Sequence, residues 1–129
     1  MNTTIWIEDW QMQCCGTPFK IGDTVKWTIL KWEFEKPTVD VGKVDYYYEN
    51  HAESNDNLFE IEGVVTQILA IHFVYELDTK TKVNIPISGI TIPVNEANDG
   101  WEENVIDEME FAAYFVKLEN VSIKACADL

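Results

Sequence analysis

The sequence contains no arginine, and its nine lysines stand against twenty-three aspartates and glutamates, so the net charge is −14. Phosphates are neutralised by cationic side chains, and arginine supplies the bidentate contacts that nucleic-acid surfaces favour. We therefore expect no nucleic-acid partner and no binding to anionic membranes. A charge of this size steers cationic partners towards the protein.

Long hydrophobic runs and cysteines are also scarce. No segment reaches the roughly 18 apolar residues that a membrane-spanning helix needs, and "MNTTIWIEDWQ" lacks the features of a signal peptide. The three cysteines form no recognisable disulfide framework, which is typical of a reducing compartment where thiols stay free. We expect a cytoplasmic protein, and 129 residues that are 47% hydrophobic predict a single domain over residues 1–129.

Apolar and polar residues alternate along "LFEIEGVVTQILAIHFVYEL", residues 58–77, which predicts a long strand with one buried face. The even positions, His72 among them, are expected to face solvent. Gly63 predicts a bulge or a bend in so long a strand. The odd positions predicted to be buried are Phe59, Ile61, Val65, Leu69, Ile71, Phe73, Tyr75 and Leu77.

Two more segments, "DTVKWTILKWEFE" and "VNIPISGITIPV", switch the parity of their apolar positions midway, as strands do where a small barrel turns a corner. "FAAYFVKLENVSIKA" supplies a last strand. We predict an all-β fold, a small antiparallel barrel or sandwich of about five to seven strands, similar in kind to SH3-like or OB-like barrels. Helix is expected to be minor: a short acidic helix in "ENVIDEMEFAAYF", and a helical turn or an exposed loop in "DYYYENHAESND".

Two adjacent thiols, Cys14 and Cys15, lie in "WQMQCCGTPF", between Trp10 and a Gly-x-Pro turn. In a strand their side chains would point to opposite faces, so they can act together only in a turn. A zinc site needs four ligands, usually in spaced pairs, and the chain has no Cys-x-x-Cys. The interpretations are buried structural thiols, which is the favoured one, a metal site, or a vicinal redox pair.

His51 is the second candidate, because Glu49 and Glu53 flank it in the tyrosine-rich segment "YYYENHAESND". A nearby carboxylate raises the pKa of an imidazole and orients it, as in a general base or a metal-binding histidine. The alternative is a surface histidine in an acidic loop.

Five tryptophans are a high number for this length, and four of them fall within the first 32 residues. Tryptophan at this density usually builds a core, and the functional alternative is an aromatic ligand cleft. Those tryptophans are Trp6, Trp10, Trp27, Trp32 and Trp101.

A run of carboxylates without a basic residue extends from residue 95 to 111. Such a run is either a solvated surface or a docking surface for a cationic partner. For the second interpretation we select Glu102, Glu103, Asp107 and Glu108, whose joint replacement by lysine is expected to abolish capture of the partner without loss of stability.

"WQMQCCGTPF" followed by "IGDTVKW" resembles the opening signature of an uncharacterised family of small bacterial proteins, chiefly from Gram-positive lineages. The similarity covers about residues 6 to 30 and continues more weakly at Tyr46–His51 and near Gly63. The resemblance implies a bacterial cytoplasmic protein and no particular activity. It makes the corner around Trp10 and His51 the preferred places for a site.

These observations favour a non-enzymatic binding or interaction module whose acidic surface meets a cationic protein partner. We expect no cofactor. The alternative is a small metal-dependent or thiol-dependent site built on Cys14, Cys15 and His51. An enzyme that uses His51 with a carboxylate as acid and base ranks third, because the sequence contains no recognisable nucleophile motif.

Overall fold

The computed structural model describes residues 2–32, 37, 39, 41–49, 58–98, 100–102 and 109–125, apart from the side chain of Cys15. Eight strands and one seven-residue helix lie in these ranges, so the prediction of an all-β fold with little helix is confirmed. Within the described residues, no helix is long and apolar enough to cross a membrane. The elements are β1 (Thr3–Glu8), α1 (Asp9–Cys15), β2 (Phe19–Lys20), β3 (Thr24–Lys31), β4 (Tyr46–Tyr48), β5 (Leu58–Asp78), β6 (Val83–Val94), β7 (Glu96–Ala97) and β8 (Glu110–Ala125).

Five strands close into a small barrel. The order in the main sheet is β3-β4-β1-β8-β5-β6, and β3 also pairs with β5, which joins the two ends of the first five strands. The pairing of β1 with β4 is parallel, so the sheet is mixed rather than purely antiparallel. β2 and β7 form a separate pair of two residues each.

The long strand β5 belongs to both the barrel and an extension beyond it. Its first part pairs with β3 and its second part with β6, while β8 pairs along residues 59–73. The bulge expected at Gly63 is confirmed by a shift of register between Glu62 and Val64. A second shift, between Val65 and Gln67, reverses which positions of β5 face the barrel interior.

Hydrophobic cores lie on both faces of the sheet. The first core fills the barrel with residues from β1, β3, β4, β5 and β8, among them Ile61, Val65 and Ile68. The second core covers the opposite face and includes Ile71 and Phe73. The inward-facing positions of β5 change from odd to even after Val65, and from Ile68 to Phe73 both faces of the strand are covered. The prediction of one buried face and one solvent-facing face was therefore wrong.

The end of β5 also departs from the predicted pattern. Tyr75 and Leu77 were expected to be buried, but they are 37% and 56% exposed. Beyond Phe73 the strand no longer pairs with β8, which leaves Tyr75 partly exposed and Leu77 mostly exposed.

Helix lies where the sequence did not predict it. The predicted corner after Trp10 is occupied by α1, which begins at Asp9 and buries Met12. The acidic helix predicted before the last strand was wrong from residue 110 onwards, where β8 begins, and residues 103–108 lie outside the described residues. Tyr46–Tyr48 forms β4 rather than a loop or a helical turn.

Candidate functional site

An aromatic cleft opens where α1 follows β1. It has a volume of about 320 Å³ and lies between the start of α1, the exit of β3 and the end of β4. This volume is at the lower end of the range for ligand sites, so it suits a small molecule or one side chain of a partner. The residues that line it are Trp6, Glu8, Trp10, Gln11, Trp32, Tyr47, Tyr48 and Glu49. We call this site the cleft.

The rings of the cleft are held by contacts with one another. Trp6 lies 5.8 Å from Trp32 in a tilted arrangement, and Trp32 meets Tyr47 nearly edge to face at 6.3 Å, measured between ring centroids. Trp6 also stacks on Phe73 of the second core at 6.4 Å. Arrangements of this kind are the favourable ones for aromatic pairs. The walls of the cleft are therefore fixed by packing before any ligand arrives.

The alternation of side chains along β1 and the start of α1 determine where Trp6, Glu8, Trp10 and Gln11 lie in the cleft. Trp6 points to the second core, while Glu8 ends the strand and precedes the helix. Within α1, Trp10 is 49% exposed and Gln11 is buried. Trp10 therefore covers the cleft from the solvent side.

Two carboxylates contribute negative charge to the cleft. Glu8 Oε1 accepts a hydrogen bond from Trp6 Nε1 at 3.2 Å, and Glu49 Oε1 accepts one from Gln11 Nε2 at 3.3 Å. Although solvent reaches the Glu8 side chain, the surrounding protein desolvates it and raises its pKa. The Trp6 hydrogen bond lowers this pKa and the neighbouring charge of Asp9 raises it further, each by less than the desolvation. An ionised carboxylate in this position is stabilised by a bound cation.

The favoured interpretation of Cys14 and Cys15 was that both are buried, free thiols, and the structure describes the side chain of Cys14 only. Cys14 is exposed and disulfide-bonded, so the prediction that it is a buried free thiol was wrong. Its position near the end of α1, which packs its buried face through Met12, explains the exposure. The side chain of Cys15 lies outside the described residues, as does His51. No group of three metal-binding side chains occurs in the part of the chain that the structure describes.

Of the acidic candidates, Glu102 alone is described; Glu103, Asp107 and Glu108 lie outside the described residues. Glu102 Oε1 accepts a hydrogen bond of 2.7 Å from the hydroxyl of Tyr114, whose side chain is fully buried. Glu102 is thereby tied to the barrel rather than to the cleft.

His72 was expected on the wet face of β5 and is instead 2% exposed. The bulge after Val65 turns it towards the face of the first core, and its ring meets Phe111 edge to face at 5.7 Å. Its Nδ1 atom is buried and has no hydrogen-bond partner among the residues that the structure describes. Burial lowers the pKa of the imidazole, and the charge of Glu102 opposes this shift.

The favoured interpretation of the tryptophans, that they build a core, is confirmed for Trp6 and Trp27, which are buried. Trp6, Trp10 and Trp32 line the cleft, whereas Trp27 packs in the first core and Trp101 is 70% exposed elsewhere. The contributions of Glu8, Gln11, Tyr47 and Glu49 were missed. The available signal was "WIEDW", which places carboxylates between two tryptophans.

Comparison with known proteins gives a family and no close relative of known activity. No curated protein and no solved structure matches this chain. A family model described as "Family of unknown function (DUF6578)" matches residues 1–120, which is nearly the whole chain, and the protein therefore belongs to this family.

Proposed function

We propose that the protein is a non-enzymatic binding module whose cleft binds a cationic group, an ammonium or a guanidinium, of its partner. The observation that supports this proposal is the composition of the cleft. Three indole rings and two phenol rings surround two glutamates, and the described lining contains no basic residue.

The chemistry of the cleft favours a cation over a neutral ligand. A cation over an indole or phenol face gains about 0.5–2 kcal/mol from the ring quadrupole, with the larger values in desolvated sites. Glu8 and Glu49 add direct Coulomb attraction, and Glu8 is already partly desolvated. An anion would meet two like charges and the field of a molecule with net charge −14.

The protein cannot fill the cleft with an arginine of its own, because the sequence contains none. Arginine is the side chain that most often stacks on aromatic rings, so its absence leaves this role to a partner. In this proposal, the cationic protein partner predicted from the charge binds at the cleft. The acidic residues beyond Glu102 would act by attracting it over a distance.

The alternative, a metal-dependent or thiol-dependent site on Cys14, Cys15 and His51, stays a prediction, because the side chain of Cys15 and His51 lie outside the described residues. Cys14 is exposed in its disulfide, and it does not line the cleft. The bacterial origin implied by the resemblance and the cytoplasmic location stay predictions.

Titration with tetramethylammonium chloride tests the proposal, because this cation cannot lose a proton or form an ordinary hydrogen bond. Indole N–H signals followed by nuclear magnetic resonance should shift for Trp6, Trp10 and Trp32 at constant ionic strength. Trp10→Leu and Glu8→Gln should each weaken binding by about tenfold or more. Trp101→Leu and Glu62→Gln are the matched controls, since both residues are exposed and lie outside the cleft.

The pH dependence of the same titration identifies Glu8. The cation binds the ionised carboxylate, so affinity should rise with pH through the pKa of Glu8, which burial holds above its ordinary value of 4.5. Tetramethylammonium itself does not titrate, and Glu8→Gln should flatten the profile. Equal binding by the Trp10 and Trp101 variants, or no saturable binding at all, would refute the proposal.

A further inference from the structure

The hairpin of β5 and β6 extends beyond the barrel. β5 pairs with β8 only as far as Phe73, and from Val74 its described pairing is with β6 alone. We call residues 74–88, the part of the hairpin beyond this point, the arm. Five large apolar side chains on it are 37–57% exposed: Tyr75, Leu77, Val83, Ile85 and Ile87.

An arm of this composition needs a covering surface. A two-stranded hairpin alone in water is marginally stable, and a third strand or a packed face is required for a stable one. Apolar patches of this kind mark interaction sites. Tyr75 and Leu77 share one face of the arm, while Ile85 and Val83, which pair with Glu76 and Asp78, lie on the other.

The face that carries Tyr75 and Leu77 continues from the second core towards the cleft. Tyr75 meets Phe73 edge to face at 6.0 Å, and Phe73 stacks on Trp6. Glu110 lies opposite Phe73 in the pairing of β5 with β8, so a carboxylate is placed at the base of the arm. Burial and then the charges of Asp9, Glu8 and Glu110 raise the pKa of Tyr75, in agreement with negative charge at this end.

The tip of the arm has the opposite charge. The turn after β5 holds Lys80 and Lys82, two of the nine lysines in the chain, beside Asp78. Asp78 is engaged locally, because its Oδ1 accepts a hydrogen bond from the backbone N–H of Lys80. Lys80 lies in the turn that follows the end of β5 at Asp78, three strand residues beyond Tyr75, so the tip lies roughly 10 Å or more from the base. A molecule cannot bring its own tip back to its own base.

We propose that two copies of this chain form a two-fold symmetric dimer, in which the arms lie antiparallel with their Tyr75 and Leu77 faces in contact. In this arrangement the lysine tip of each arm reaches the carboxylates at the base of the other. A two-fold interface uses the same patch twice, and the arm supplies both halves of the charge complementarity. The second copy is thus the occupant that matches both the apolar face and the charges.

The contact is made by side chains rather than by added strands. In the described sheet β6 pairs only with β5, and Pro86 and Pro93 interrupt its outer edge. Proline has no N–H to donate, and edge strands that carry it resist pairing with a further strand. The face of the arm therefore forms the interface.

This inference goes beyond the proposed function and does not depend on it, although Glu8 contributes to both sites. Sedimentation velocity of the purified protein from about 1 to 100 µM should show a monomer–dimer equilibrium, because a contact limited to one face of a two-stranded hairpin belongs to the small, weakly associating interfaces. Leu77→Ser should raise the dissociation constant by about tenfold or more. Ile85→Ser removes a similar apolar side chain from the opposite face and should leave the dimer intact.

The electrostatic contribution is tested with the double variant Lys80→Glu, Lys82→Glu, which should also raise the dissociation constant of the dimer. Lys20→Glu with Lys31→Glu makes the same change of net charge at exposed lysines outside the arm, and should have a smaller effect. Tetramethylammonium titration of the Leu77→Ser monomer tests the cleft separately from the dimer. A monomer throughout the concentration range, or equal loss of dimer in the Leu77 and Ile85 variants, would overturn the inference.

Discussion

At the scale of the residue, His72 is a buried ionisable side chain whose Nδ1 atom has no partner within the described part of the chain. A buried polar group without a partner costs about 1–3 kcal/mol, and a charged imidazole in the same place would cost more. The charge of Glu102 offsets part of this cost, as the opposing influences on the pKa of His72 show. His72 therefore couples the stability of the fold to pH.

The sign of this coupling follows from the lowered pKa. When the pH falls below 6.5, the unfolded chain binds a proton at His72 before the folded chain does, so the free energy of unfolding decreases. Thermal melting of the wild type should therefore fall more steeply between pH 7.5 and 5.5 than that of His72→Leu.

Because Leu leaves no unpaired nitrogen, His72→Leu should equal or exceed the wild type in stability at pH 7.5. Glu8 and Asp9 have raised pKa values and act in the opposite direction, but they are present in both proteins, as is His51. Parallel pH profiles for the two proteins would contradict this interpretation of His72.

At the scale of the element, the position of α1 depends on the loop that packs against it. Gly100 has φ +80°, and a Cβ atom there would lie 2.7 Å from Met12 Cβ and 2.8 Å from the backbone N of Gln13. Gln13 Nε2 in turn donates a hydrogen bond of 3.0 Å to the carbonyl of Gly100. This close approach holds the helix that carries Trp10 into the cleft.

Gly100→Ala should lower the free energy of unfolding by roughly 2–4 kcal/mol, from left-handed strain and from contact with the helix backbone. Gly42→Ala is a matched control, because its φ is also +80° and a Cβ there meets no atom of the described residues within 4 Å. It should cost only the conformational part, about 1 kcal/mol.

Chemical denaturation measures both values. The two variants should also differ in their affinity for tetramethylammonium: Gly100→Ala should weaken it, and Gly42→Ala should leave it unchanged. Equal destabilisation by the two substitutions would show that the contact with α1 is not important.

At the scale of the whole molecule, the net charge of −14 opposes the compact state by self-repulsion. Sodium chloride shortens the Debye length from about 30 Å at 0.01 M to about 8 Å at 0.15 M, which weakens this repulsion. The melting temperature should therefore rise by roughly 2–5 °C over that range.

The control is a variant with Glu62→Gln, Glu76→Gln and Glu119→Gln, three substitutions at exposed positions, measured at the same low protein concentration. It should respond less to salt because it has less charge to screen. A melting temperature that falls with salt would mean that attractive charge pairs outweigh the repulsion.

The all-β fold followed from local features of the sequence. Alternation with a period of two is a property of the strand itself, so β5, β6 and β8 were visible in the pattern of apolar residues. Gly63 likewise indicated its own bulge. The second bulge, after Val65, contains no glycine or proline that would have indicated it in the sequence. It moves every following side chain of β5 to the opposite face of the sheet from the one predicted.

The sequence by itself determined the excess of negative charge, the pattern of strands and the concentration of tryptophans in the first quarter of the chain. Only the tertiary structure decided that Glu49, which follows β4, lines one cleft with Trp6 and Trp10, because the proximity of distant segments is set by strand pairing. It also decided that His72 is buried and that Leu77 is exposed. Those outcomes depend on which neighbour covers each part of β5, and no local pattern records where a neighbouring strand ends.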